Sequence, residues 1–236
     1  MALRGNLMLG VIGGTVLFKK NFFEKFGDFL ASTKFGTVNI KISDKIAFVP
    51  RHGLLSAIPP HKINHKANIL GLKQLGISKV VGIHSCGSLK KEITPGKIIL
   101  PSDFICLAPP ETIFDFQIEH ITPTLSSSLR QKLLDSAKKL GIEAIDSGIY
   151  LQTTGPRLET IAETKMFSQF ADVVGMTMAS EATLCQESGM EFASICSVDN
   201  FAHGISNAVP AHAEIVEMAS RNADNIWKII EEIARE

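Results

Sequence analysis

Arg51 and His52 stand side by side in "PRHG", directly after the apolar run "KIAFVP" (Lys45–Pro50). A fixed positive charge beside an imidazole is suited to holding an oxyanion. Arginine presents its donors in a rigid fork that fits phosphate, and histidine adds a nitrogen that can gain or lose a proton. Other apolar runs end in residues of the same kind. The first is followed by "GGT" (Gly13–Thr15), "VVGI" by His84–Ser88, "YLQT" by "TGPRLE", "VVG" by Met176 and Thr177, and "SICSV" by Asp199–Gly204. Thr15, Ser85 and Thr177 offer neutral hydroxyl donors, and with Arg51 and His52 they make a pocket for a dianion that needs no metal. "GGT" lacks the following Lys and Ser/Thr spacing of a P-loop, so taken alone it fits a plain strand-to-helix turn.

The other polar candidates each have a bland explanation. Glu159, in "TTGPRLETIAE", is expected in the first turn of a helix, where the dipole favours a carboxylate by ~0.3–1 kcal/mol. Asn200 suits a turn after a strand, and Met176 suits a core. His203 and His212 fit a loop and a helix start. His61 and His65 have helical i, i+4 spacing, but no acidic or cysteine third ligand lies near them in the chain, which favours surface or packing roles over metal. Cys86, Cys106, Cys185 and Cys196 show no C-x-x-C spacing, which argues against zinc and redox motifs and for a reducing, cytoplasmic setting.

These residues need a scaffold that gathers strand ends. The chain has 236 residues and 45% hydrophobic content, enough for one α/β domain spanning 1–236. Charges balance at 24 basic and 24 acidic, which gives no bulk attraction to nucleic acid or an anionic membrane. The first apolar run breaks at paired glycines, too early for a signal peptide core or a membrane span, and reads as a buried strand. Strands are expected over 7–12, 37–42, 45–50, 79–84, 97–101, 148–153, 171–176 and 192–198. Helices are expected over 21–31, 62–75, 126–140, 159–170, 180–188 and 213–235. Alternation of this kind implies a mostly parallel sheet covered on both faces, with ligands gathering at the carboxyl ends of its strands. Cys106–Thr124, aperiodic and with Pro109 and Pro110 together, is the best candidate for a long functional loop.

Taken in order, "GVIGGT", "PRHG" with "IPPHKINHKANI", "CGSL", "TGPRLET", "VVGMT" followed by "SE", and "ASICSVDNFA" run along nearly the whole chain. The series resembles the trimeric purine nucleoside phosphorylase family, and within it the methylthioadenosine phosphorylase branch. The resemblance implies a twisted mixed β-sheet with barrel-like closure, flanked by helices, in a homotrimer. It implies cleavage of a purine nucleoside by inorganic phosphate, with no cofactor. By the same resemblance Thr15, Arg51, His52, Ser85 and Thr177 match phosphate contacts, and Met176 matches a methionine on the ribose. Cys86 and Gly87 match backbone beside the base, and His120 matches a histidine lent to the neighbouring subunit. Leu158 stands where relatives carry a base-stacking Phe, and His84 where they carry Thr or Asn.

Base choice follows from hydrogen-bond polarity. A 6-oxopurine presents N1–H as a donor, which a carboxylate accepts, whereas adenine N1 is an acceptor that a carboxylate repels. Glu159 falls where oxopurine-specific members carry Glu, and Asn200 where they carry Asn to read O6 and N7. With His52, these are the expected catalytic residues. Ala213 falls where nucleoside enzymes hold the 5′-hydroxyl with histidine, and an apolar residue there suits a methylthio group. Oxo base with methylthio sugar is the pattern of 5′-methylthioinosine phosphorylases, with inosine and guanosine as further substrates. The rivals are methylthioadenosine phosphorylase, a nucleoside hydrolase using water, and a nucleoside-binding protein that has lost activity.

Overall fold

A computed structural model of the chain describes residues 8–14, 17, 21–55, 58–109, 111–206 and 212–236. Its strands are β1 (Leu9–Gly13), β2 (Gly27–Thr33), β3 (Gly36–Ile42), β4 (Ile46–Pro50), β5 (Lys79–Ser88), β6 (Ile98–Leu100), β7 (Asp103–Cys106), β8 (Ile145–Asp146), β9 (Ile149–Gln152), β10 (Val173–Gly175) and β11 (Glu191–Phe201). Its helices are α1 (His65–Gln74), α2 (Ser127–Lys139), α3 (Ile161–Phe167), α4 (Met178–Glu187) and α5 (His212–Arg235).

The continuous apolar runs become the middle of the sheet. Every residue of β1 and β4 is buried, as expected for strands covered on both faces. β1 lies between β4 and β5 and is parallel to both. β11 runs parallel along the other edge of β5. From β5 the sheet forks, through β10, β9 and β7 on one arm and through β11, β6 and β8 on the other. Helices α1 and α4 pack together on one face, and α2 and α5 on the other. On α5 the buried residues Ala219, Ala223, Ile226, Trp227, Ile230 and Ile233 recur at helical spacing. Trp227 stacks on Phe22 with ring centroids 5.1 Å apart.

Two expectations need correction. Residues 21–31 are not a helix: apolar residues at 22, 23, 26, 29 and 30 mimic helical spacing, but a short 3-10 turn (Asn21–Phe23) leads into β2. Pairing of β2 with β3 across Lys34–Phe35, with Gly36 at φ 127°, overrides local preference. The sheet is mixed, as the resemblance implies, and parallel pairings are in the majority. The β2–β3, β3–β4, β5–β10 and β6–β11 pairings are antiparallel. The described ladders do not close into a barrel. Ser147 and Gly148, at φ 103° and 141°, break the line between β8 and β9, and Pro101 and Ser102 part β6 from β7. The two breaks are joined by Ser147 N–H donating to Leu100 O at 3.2 Å and Ser102 N–H to Gly148 O at 3.0 Å. The sheet therefore bends there instead of closing.

Candidate active site

The site begins with a gap in the sheet. β1 pairs with Val80–Gly82 of β5, and β10 pairs with Gly87 and Ser88. β11 occupies the opposite edge along the whole strand, so β1 and β10 share one edge. β1 is parallel to β5 and β10 antiparallel, so their carboxyl ends, Gly13 and Gly175, converge from opposite directions on Ile83–Cys86. Arg51, next after β4, fills the gap: Nη1 donates to Ile83 O at 2.9 Å and Nη2 to Ile12 O at 3.3 Å. A cavity of about 610 Å³ opens over it.

Arg51 is 3% exposed and is gripped by Glu181 of α4, which is fully buried. Nη2 donates to Glu181 Oε2 at 2.9 Å and Nε to Oε1. Burial pushes the Glu181 carboxyl up, and the guanidinium pulls it back; both carboxyl oxygens accept from the guanidinium, the bidentate pattern of an ionised pair. Of the five guanidinium N–H groups, one on Nη1 has no partner among the described residues. A Cβ on Gly14 would lie 3.7 Å from Nη1 and 3.9 Å from His52 Nε2, so both nitrogens face the same glycine backbone. His52 Nδ1 is 2.7 Å from Ile58 O. A carbonyl only accepts, so Nδ1 carries the proton and Nε2 keeps a lone pair. Burial, then the charge of Arg51, lowers the His52 pKa, which keeps the ring neutral.

His84 lies deeper, with Nδ1 2.9 Å from Thr177 Oγ1. Its Nε2 has no hydrogen-bond partner among the described residues and sits 3.7 Å from Glu181 Oε2. Full burial, then Arg51, pushes its pKa well down. His65 of α1 faces the other Glu181 oxygen at 3.7 Å, and burial holds its pKa at about 3. An acid absent from the neighbourhood of His65 in the sequence is thus supplied by α4, although Arg51 already occupies it. Among the described residues no group of three or more His, Cys, Asp or Glu side chains could hold a metal ion.

At the other end of the cavity β11 is irregular. Its register with β5 shifts between Val198 and Asn200. A bulge re-aims side chains that strict alternation would send to opposite faces, and both Asp199 and Asn200 line the cavity. Asn200 Nδ2 donates to Phe201 O at 2.8 Å. Asp199 accepts from the hydroxyl of Ser197 through Oδ1, and its Oδ2 has no hydrogen-bond partner among the described residues. Burial raises its pKa to about 7. Ser197 in turn accepts from Asn222 Nδ2 at 2.8 Å, which ties this end to α5.

Glu159 is not in a helix. α3 starts later, at Ile161, capped by Thr160 and Glu163 in a reciprocal capping box, and Arg157 pairs with Glu163 at 2.7 Å. The roles that would make Glu159 ordinary belong to its neighbours. Glu159 is 7% exposed, accepts from Thr153 Oγ1 at 2.8 Å, and lines the cavity. The loop before it passes close to Met176: Gly155 has φ 65°, and a Cβ there would meet Met176 Sδ at 2.4 Å.

The cavity gathers Arg51, His52, Ser85, Cys86, Gly87, Leu158, Glu159, Met176, Thr177 and Asn200 from five separate stretches of chain. Thr15 lies outside the described residues. Ala213 falls in the first turn of α5, where its side chain is also outside them. His120 is exposed and does not line the cavity of its own chain. Glu181, Ser197 and His203 were not expected. The only sequence signal for Glu181 was the "SE" that follows "VVGMT". From α5, Ile215, Ala219, Ala223 and Ile226 give the cavity an apolar wall.

The phosphorylase superfamily model matches residues 9–235. A probable 6-oxopurine nucleoside phosphorylase of Archaeoglobus fulgidus is 40% identical over 233 residues, 97% of this chain and 96% of that protein. A probable S-methyl-5′-thioinosine phosphorylase of Thermodesulfovibrio yellowstonii is 35% identical over 95% of this chain and 89% of its own length. The methylthioadenosine phosphorylase of Schistosoma mansoni, solved with adenine, shares the fold at a TM-score of 0.88 with 23% identity, covering 98% of this chain and 91% of that one.

Proposed function

The chain belongs to the phosphorylase superfamily, and from that premise we propose that it is a purine nucleoside phosphorylase for 6-oxopurine nucleosides, with 5′-methylthioinosine the leading substrate and inosine and guanosine further ones. The observation that carries this reading is the buried carboxylate of Glu159 in the same cavity as Arg51 and His52. Glu159 accepts N1–H of an oxopurine and opposes the lone pair of adenine N1. The apolar wall from α5 supports a methylthio group over a 5′-hydroxyl. The names of the relatives from Archaeoglobus fulgidus and Thermodesulfovibrio yellowstonii agree with an oxo base.

Phosphate binds between Gly14, Arg51, His52, Ser85 and Thr177, and Thr15 completes the set. The free Nη1–H of Arg51 donates to it, and the lone pair of His52 Nε2 accepts its remaining O–H. Phosphate below the sugar stabilises the cation that forms as C1′–N9 breaks, then closes the new O–C1′ bond. The base leaves with negative charge. Asn200 hydrogen-bonds O6 and N7, and Asp199, protonated at Oδ2, supplies a proton to N7. Contacts that strengthen as this charge develops accelerate the reaction. Met176 packs on the ribose, Cys86, Gly87 and Leu158 flank the base, and no metal or cofactor takes part. His120 works in a neighbouring subunit of a trimer; its segment also exposes Phe116 and Ile118 almost completely.

A second reading, S-methyl-5′-thioadenosine phosphorylase, draws on Asp199, which can accept from a 6-amino group. The test is product analysis by ³¹P NMR with methylthioinosine. Phosphorolysis gives 5-methylthioribose-1-phosphate, unaffected by chelator. Free sugar in phosphate-free buffer would mark a hydrolase, and binding without product an inactive nucleoside-binding protein.

A further inference from the structure

The phosphate end contains a histidine that none of these steps uses. His84 reaches it through Thr177, whose hydroxyl has one proton and whose Oγ1 lies 2.9 Å from His84 Nδ1. If Thr177 donates to the ring, its oxygen faces the cavity with lone pairs only and repels a phosphate oxygen. If the ring donates to Thr177, the hydroxyl proton is free for phosphate. The second arrangement in a neutral ring aims the Nε2 lone pair at Glu181 Oε2, 3.7 Å away, an unfavourable pairing that a proton on Nε2 removes.

Charge counting points the same way. Arg51 is already balanced by Glu181, so a phosphate dianion meets a cluster without net positive charge. Every group facing His84 bears on this: Arg51 from the end of β4, Glu181 from α4, His65 from α1, Tyr150 of β9 with its ring centroid 6.0 Å away, and Phe192 and Cys196 of β11. Only Glu181 is acidic at neutral pH. The ring has room because residue 82 is glycine: a Cβ there would lie 2.4 Å from His84 Nε2. In the ligand-free protein burial and Arg51 keep the ring neutral, so the extra charge arrives with the anion.

We propose that His84 is a positioning residue for phosphate: an imidazolium held between Glu181 and Thr177 when phosphate is bound, it turns the Thr177 hydroxyl into a donor to the anion. This rests on the phosphorolysis reading. It makes phosphate binding draw one proton onto His84, so the advantage that His84 confers should shrink as pH rises, by up to about tenfold per pH unit.

The test compares the phosphate KM of the unmodified protein, His84→Asn and His84→Leu from pH 6 to pH 9. Asn retains a donor for Thr177 without titrating, and Leu offers none. The expected result is a KM ratio of variant to unmodified protein that is largest at low pH and falls toward one for Asn, with kcat at saturating phosphate changed much less. In a Thr177→Val background the His84 changes should have no further effect on KM. In the unmodified protein, ¹⁵N NMR should show one imidazole passing from singly to doubly protonated on adding inorganic phosphate, and that signal should be missing in His84→Asn. A pH-independent KM ratio, or a ring that stays singly protonated in saturating phosphate, overturns the proposal. Base release that needs no phosphate in the unmodified protein would instead overturn the phosphorolysis reading.

Discussion

Glu181 holds Arg51 through two guanidinium nitrogens in a place that water does not reach: the side chains are 0% and 3% exposed. The pair ties α4 to the end of β4 and directs Arg51 into the gap between β1 and β10. It also means that the arginine serves two purposes, holding the fold together and presenting one N–H to the cavity.

Removing either partner should therefore cost stability as well as turnover. A buried charge left without its counter-ion costs ~3–5 kcal/mol. Arg51→Met and Glu181→Leu are each expected to lower urea stability by that order. The double variant should recover most of the loss, because no lone charge remains, yet still turn over phosphate poorly. Denaturation and kinetics on the three proteins check this. Additive losses of stability would show that the pair is not coupled.

Acid should destabilise the protein through His65. Its pKa is about 3 in the folded chain against an ordinary 6.5. Between these values the unfolded chain binds a proton that the native one refuses. Stability is therefore complete above pH 6.5 and falls as pH drops, by ~1.4 kcal/mol per unit for one such group. His65→Gln should reduce the slope of unfolding free energy against pH by about that amount. Equal slopes from urea melts at pH 7, 6 and 5 would remove His65 as the cause.

Asp199 should set the alkaline limb of the rate. With a pKa near 7 it carries the proton it donates below that value and loses it above, so kcat/KM should decline as pH rises through 7. Asp199→Asn should be slower but lack this limb. A limb unchanged in the variant would assign it to another group.

Subunit exchange tests the role of His120. Mixed His120→Ala and Asn200→Ala proteins should regain part of the activity that each lacks, since one class of interface then joins two intact halves. A fully active monomer, or no recovery after verified exchange, would place His120 outside the site.

Much of this site was legible because its residues follow the strands that form the sheet, and those strands are continuous apolar runs. "PRHG" after β4 and "MT" after β10 could be read without coordinates. Strict alternation would let only one of Asp199 and Asn200 face a given side. A bulge, which leaves no mark in composition, brings both in. Glu181 was illegible for a different reason: a carboxylate on a helix reads as solvated until its arginine partner, 130 positions away, is known to lie beneath it. β2 is hidden because apolar residues at 22, 23, 26, 29 and 30 fit a helical period, and β7 and β8 are too short to have any period.

Base choice should behave as a shared property of Glu159 and Asn200. Asn200→Asp alone should damage oxopurine turnover without producing a good adenine enzyme, since Glu159 still opposes adenine N1. Adding Glu159→Ser removes that opposition, and the double change should shift preference far more than the sum of the single ones. Sites built on buried hydrogen-bonding groups discriminate by factors of up to ~10⁴–10⁵.

The most direct measurement is kcat/KM of the unmodified protein for methylthioinosine and methylthioadenosine, in the presence and absence of phosphate. A 6-oxopurine phosphorylase cleaves methylthioinosine by orders of magnitude faster and only when phosphate is present. Preference for methylthioadenosine would contradict the role given to Glu159, and equal base release without phosphate would contradict the role given to Arg51 and His52.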